Sequence, residues 1–429
     1  MRVLWMLMCC TAGGTALGKA SETIYAQELV NRMVSIHADV AAIVMHVTPP
    51  KGAENVIIAS NIGRIGKKAD ADDLKVIQTG KPNLAVNKSG DRYEVELVLK
   101  DANSRSIGAL GIVFPFKASD DRGALQKRAE AIRDEFARRI SHRANLMEPA
   151  QYDTSIPTRS YAQSLVDKAL KRHPSVVILA LHAKPSRSPD NVIVASNIGR
   201  IGKKADEDDL HVITSGETKL ELNETGDRYE VEQTLADVSG TTIGAVGVVF
   251  AYSKGQDTAP LQSEAKSVRT ELSRRISNVD NLLQPYPFDP RYSADTYGQE
   301  LIDGALEAHP DVLIMALHAA KAAGGDYVIA GSNIGRIGKM ADEDDLKVIN
   351  TSIPNLEVNA DGNRFEAEVP LLDVRKQSIG ALSVVFPYKS GGDKQALKVR
   401  AEKIRDELAP RIASAGALFA SARDSASRQ

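Results

Sequence analysis

An arginine set between two glycines and followed by a lysine, Ile-Gly-Arg-Ile-Gly-Lys, occurs three times in this 429-residue chain, at residues 62–67, 198–203 and 334–339. The glycines permit backbone angles closed to other residues and expose amide groups, with a guanidinium between them and an ammonium after. Arg64, Arg200 and Arg336 could each clamp a carboxylate through two parallel hydrogen bonds, with Lys67, Lys203 and Lys339 as a second positive charge. The same residues also fit a tight turn whose arginine pairs with an acid of its own domain. A nucleotide loop is excluded, because the pattern has neither the Walker spacing nor a Gly-x-Gly-x-x-Gly after a parallel strand.

Other polar residues recur in step with this loop. His46, His182 and His318 end an apolar run on the face shared with small residues such as Ala42 and Ala180, and Ala109 and Gly111 alternate to match on the last strand. Small side chains there would leave a hollow beside the imidazole, so His46 with Arg64, His182 with Arg200 and His318 with Arg336 are expected to face one cavity each. A histidine satisfied inside the core fits the same pattern. Arg92 and Tyr93, Arg228 and Tyr229, and Arg364 and Phe365 open the fourth strand, and Phe365 shows that the phenol is not essential to a shared chemistry. Asp101, Asp237 and Asp373 could receive a ligand amine or shape the turn before the final strand. Asp70, Asp72 and Asp73, with their two repeats, read better as a helix cap and first turn than as metal ligands, because a calcium loop needs more oxygens and a distal Glu. His37, His173 and His309 stand where a helix end needs its carbonyls capped.

These residues are carried by one module built three times. A register of 136 residues holds without insertion from Tyr25, Tyr161 and Tyr297 to Arg139, Arg275 and Arg411. Periodicity within a module predicts a helix, two strands, the glycine loop with a short helix, three strands and a closing amphipathic helix. That order is an α+β fold, an antiparallel sheet of about five strands flanked by helices. Proline-rich joins, with Pro149 and Pro157, then Pro285, Pro287 and Pro290, place the modules at 21–150, 151–286 and 287–429, linked by short semi-rigid segments.

The stretches VIIASNIGRIGKKADADDLKVIQTGK and GDRYEVELVLKDANSRSIGALGIVF resemble the extracellular PAS-like sensor domains called Cache, over about 60 residues of each module. The resemblance implies three tandem PAS/Cache-like domains, each with a small-ligand pocket on one side of the sheet under the loops between its second and third strands. Members of that family usually sit between membrane helices ahead of an output domain. This sequence has no such output, so signalling would need a separate membrane partner.

Arg2, the apolar run 3–10 and the small residues after it read as a secretory signal over residues 1–20, which makes the mature protein periplasmic or secreted. The only two cysteines, Cys9 and Cys10, fall inside it, and the residues before them lack the small side chains of a lipobox, so a lipid anchor is the less favoured reading. Removing that signal takes Arg2 and Lys19 away and moves the formal charge from −2 to −4, which gives no basic face for nucleic acid or anionic membrane. No later run is long enough to span a bilayer. No nucleophile-and-base pattern, cofactor motif or metal motif is present in the sequence, so it reads as a non-enzymatic binding protein. The favoured ligand is a small organic acid or an amino-acid-like zwitterion. The alternative is a multivalent scaffold whose three like surfaces hold a partner.

Overall fold

The computed structural model describes residues 22–422. The first module runs α1 (Tyr25–Ile36), β1 (Ala42–Val47), β2 (Val56–Ser60), α2 (Ala71–Thr79), β3 (Asn83–Val86), β4 (Arg92–Lys100), β5 (Ser106–Pro115) and α3 (Arg122–Ala137). The second and third modules repeat these elements, and the first module's labels serve below for their equivalents. Each module makes its own five-stranded antiparallel sheet in the order β2-β1-β5-β4-β3. The protein is therefore an α+β chain of three tandem PAS-like domains.

The alternation along β4 divides each domain into two sides. Tyr93, Val95, Leu97 and Leu99 point to one face, where they pack with α1 and α3 around Met33, Ile132 and Phe136. Glu94, Glu96 and Val98 point to the other, which α2 covers only in part. The apolar face holds nearly all the buried hydrophobic area, and burying one such side chain stabilises by about 1.5 to 3 kcal/mol. The opposite face is left to polar chemistry.

Asp70 caps α2 by accepting from the amides of Asp72 and Asp73, and its own amide donates to the Asp73 carboxylate at 2.7 Å. The reciprocal box recurs at Asp206 with Asp209 and at Asp342 with Asp345. His37 ends α1, but its ring reaches away from the carbonyls to Glu135 of α3, 3.2 Å distant, as His173 does to Glu271 and His309 to Glu407. These histidines cap the helix through their backbone amides, while their rings fasten α1 to α3.

The joining segments are more ordered than their prolines suggest. Residues Arg143–Met147 form a 3-10 helix, and the chain then pairs Pro149 with Ile24 at the start of the same domain. Ser160 with Pro285 and Thr296 with Ser421 close the other two domains in the same way. Only after that closure does the chain cross over, and there the Tyr152 amide donates to the Ile201 carbonyl of the next domain's glycine loop.

Candidate functional site

Beneath α2 a histidine and two carboxyl groups meet in every domain. His46 Nδ1 lies 3.3 Å from the Asp73 carboxylate, His182 3.0 Å from Asp209, and His318 2.9 Å from Asp345. Glu96, Glu232 and Glu368 on β4 approach the same aspartates. Burial first, and the neighbouring aspartate second, push Glu96 and Glu232 up to about 9 and Glu368 up to about 8. Asp73, Asp209 and Asp345 are lowered: burial works to raise them, but the hydrogen bonds and histidine charge around them prevail. In each pair the neighbouring charges therefore push the glutamate up and hold the aspartate down. Asn83 donates to Glu96 at 3.3 Å and Asn355 to Glu368 at 3.1 Å, which fixes the outer oxygen.

His46, Asp73 and Glu96 can bring one ligand atom each within 4.8 Å of one another, as can Asp342, Asp345 and Glu368. A shared proton explains this closeness, and the aspartate is already the third residue of the capping box. The line from histidine to glutamate pins α2 to the sheet. It also forms the floor of whatever lies beside it.

The register behind that floor follows the small residues. His46 faces Ala109 and Val44 faces Gly111, while Ala180 faces Gly247 in the second domain. A Cβ on Gly247 would stand 2.9 Å from the Glu230 carboxylate, so the glycine is what admits that acid. Burial raises Glu94 and Glu230 above the ordinary range and Glu366 to about 7. The sequence signal for these acids was the Glu-x-Glu alternation after Arg92, Arg228 and Arg364. The alternation alone does not say which face is wet.

In the second domain this face opens into a hollow of about 430 Å³. His182, Arg200, Lys203, Arg228 and Glu230 all line it, together with His142 from the end of the first domain. A larger hollow of about 750 Å³ lies outside the sheet face, between the crossover at Tyr152 and the β1–β2 turn near Pro185. It shares Lys203 but none of the buried polar floor.

Two amides of each glycine loop are spent within the domain. Gly66 donates its amide to Ile57 and Lys67 donates to Arg64, so the loop folds back on β2. Gly63, Arg64 and Gly66 take φ of 75°, 66° and 84°, and the second and third copies match within a few degrees. Arg64 points to solvent. Arg200 does grip a carboxylate through Nε and Nη2, both at 2.9 Å, but the acid is Glu148 at the end of the preceding domain. Burial works to raise Glu148, and the Arg200 hydrogen bond and charge bring it below its ordinary value. Arg336 makes the equivalent contact to the neutral Gln284 at 3.2 Å.

The remaining residues sort by face and by junction. Tyr93, Tyr229 and Phe365 are corrections to the sequence reading, because they point into the apolar core, where Tyr93 stacks on Phe116 at 5.5 Å and Phe365 on Tyr388 at 5.8 Å. Asp101 accepts the amides of Asn103 and Arg105 and shapes its turn, and Asp237 and Asp373 do the same. Arg92 is exposed. Arg228 donates to Asn103 at 2.9 Å and to the Ser141 carbonyl of the first domain, and Arg364 donates to Asp237 at 3.0 Å and to the Ser277 carbonyl of the second. Lys67 is exposed on its loop and Lys339 is half-buried on its own.

No family model matches the sequence, and no curated protein matches it. Among solved structures the chain is similar to the Agobacterium tumefaciens repressor BlcR, at 13% identity and a TM-score of 0.21, over 26% of this chain and 65% of that one. It is similar at 14% identity and a TM-score of 0.21 to the A. Aeolicus nlh2 GAF domain, over 27% of this chain and 81% of that one. PelD from Pseudomonas aeruginosa PAO1 is matched at 18% identity and a TM-score of 0.21, over 60% of this chain and 79% of that one. The fold assignment rests on the strand order in the three sheets. No helix among the described residues is long and apolar enough to cross a membrane.

Proposed function

We propose that this chain is a sensor-type protein that binds a small zwitterion, such as an amino-acid-like metabolite, in the hollow of its second domain. The observation that carries this reading is the convergence of Lys203 with the buried acid Glu230 over a floor of His182 and Asp209. Arg200 and Arg228 line the same space but are held by Glu148, Asn103 and Ser141, so they contribute fixed positive potential and Lys203 supplies the adjustable charge. A ligand carboxylate would meet Lys203 in a charge-assisted bond of about 1.5 to 3 kcal/mol, and its amine would meet Glu230. In this reading residues 1–20 export the chain, and a separate membrane protein receives the signal.

Thermal stabilisation by a panel of amino acids and organic acids tests it. Very small ligands are limited to about 1.5 kcal/mol per heavy atom, so the panel must reach millimolar concentrations. A zwitterion should raise the melting temperature of the wild type and of Lys67→Ala, and fail to do so for Lys203→Ala. Equal loss in Lys67→Ala and Lys203→Ala, or no response across the panel, would remove the second-domain hollow as the seat.

A second reading, a multivalent interaction protein, is favoured by one observation. The glycine loops of the second and third domains serve as seats for the tail of the preceding domain.

A further inference from the structure

The three glycine loops share one sequence and differ in what covers them. Ile198 and Ile201 keep 5% and 4% of their surface, and Ile334 and Ile337 keep 4% and 0%, whereas Ile62 and Ile65 keep 43% and 58%. The second loop is covered by the tail of the first domain and the third loop by the tail of the second. In each junction a tyrosine hydroxyl, from Tyr25 or Tyr161, donates to the carbonyl of Asn197 or Asn333 at 3.3 or 2.8 Å. The buried carboxamide of Asn145 or Asn281 donates to the carbonyl of Ile198 or Ile334 at 3.2 or 2.9 Å. Three residues on, Glu148 or Gln284 receives the loop arginine. The amide of Asn197 reaches back to the Arg138 carbonyl at 2.6 Å, and Asn333 to Arg274 at 2.8 Å.

The first loop keeps the same eight residues and the same backbone as the two occupied seats. Asn61 makes the same bonds within its own domain, to the Ile43 amide and the Ala41 carbonyl, and among the described residues no tail is docked on it. The tail of the third domain is different. Tyr297 still donates to the Arg411 carbonyl at 2.8 Å, but Ala417 stands where Asn145 and Asn281 stand, and Ala420 where Glu148 and Gln284 stand. The tail of the third domain therefore lacks both polar contacts, while the first seat differs at Asn31, which replaces the acid that Asp167 and Asp303 offer to Arg139 and Arg275.

We propose that the first glycine loop, residues 60–67, is a docking seat for the tail of a like domain on another protein. That domain must carry a tyrosine hydroxyl at the start of its first helix and, on its tail, a buried asparagine carboxamide with a glutamate or glutamine three residues later to meet Arg64. The two occupied seats in this chain show the fit, with the same eight residues and the same three contacts. The substitutions Ala417 and Ala420 stop the chain's own tail from filling its own kind of seat, which would otherwise add copies head to tail without closure.

The test restores the tail in the full chain and reads mass by sedimentation across a concentration series. Ala417→Asn with Ala420→Glu should at least double the weight-average mass relative to the wild type, and adding Ile65→Asp, at an exposed site, should return it to monomer. Ala420→Glu alone, on the surface, gives a smaller rise that salt suppresses, and serves if the double variant melts early. The proposal is overturned if a folded double variant stays monomeric, as it would if residues 1–21 covered the loop. It is also overturned if wild type associates as strongly, or if association survives Ile65→Asp.

Discussion

Gly63, Gly199 and Gly335 have φ of 75°, 74° and 73°, in the same loop, and differ only in what stands before them. A Cβ on Gly63 meets nothing within 4 Å, whereas on Gly199 it would lie 2.6 Å from the Tyr25 ring and on Gly335 2.7 Å from the Tyr161 ring. Alanine at any of the three costs about 1 to 2 kcal/mol for a left-handed backbone. At Gly199 and Gly335 the ring must also move, and overpacking of this kind adds about 1 to 3 kcal/mol. Each tyrosine is clamped by a hydroxyl bond to the tail of its own domain, so it cannot swing aside freely. Gly63→Ala should therefore lower the stability of the first domain alone by about 1 to 2 kcal/mol, about 4 to 7 °C in its melting temperature. Gly199→Ala should cost about 2 to 5 kcal/mol and uncouple two domains, which calorimetry would show as a split transition. If Gly63→Ala proves as damaging as Gly199→Ala, the loops are not seats, and their common backbone strain is the whole effect.

Two further outcomes are expected. Glu96, Glu232 and Glu368 carry a proton in the folded chain that they lose when unfolded, so stability is greatest near pH 4.5 and is lost as pH rises toward about 9 for Glu96 and Glu232 and about 8 for Glu368. The slope is at most about 1.4 kcal/mol per pH unit for each glutamate. Glu232→Gln, neutral at every pH, should flatten that decline in melting curves taken between pH 5 and 9, and a steeper decline would contradict the shared proton. Arg336 is half-buried with a neutral partner, and burial lowers its pKa. Gln284→Glu should copy the Arg200–Glu148 clamp and stabilise the junction of the last two domains by about 1 kcal/mol in a double-mutant cycle with Arg336→Ala, and an uncoupled cycle would refute it.

The fold was legible because its signals are local: the period of two in β4, the 3.6-residue stripe in α3, and the Asp70 cap. The exact spacing of the repeats made each signal count three times. The site was less legible. Arg64, Arg200 and Arg336 are one residue type in one motif, and only the preceding domain's tail decides whether the guanidinium meets water, Glu148 or Gln284. That contact spans 52 residues and is invisible to any local pattern. Tyr93 was misplaced by one step of the pleat, since its neighbour Glu94 faces the polar side. The acids were visible as an alternation, but their burial depends on α2 lying across them.

The short bridge that closes each domain governs how the chain carries load. Tyr25 donates to the Glu148 carbonyl and Ala150 to the Thr23 carbonyl, both at 2.8 Å, so the strand entering the domain and the strand leaving it are tied side by side. A pull on the two ends is met first at that knot and does not reach the sheet behind it. Under tension the chain would extend by the slack between knots before any domain lost the polar face of its sheet, like beads whose threads are tied at the hole.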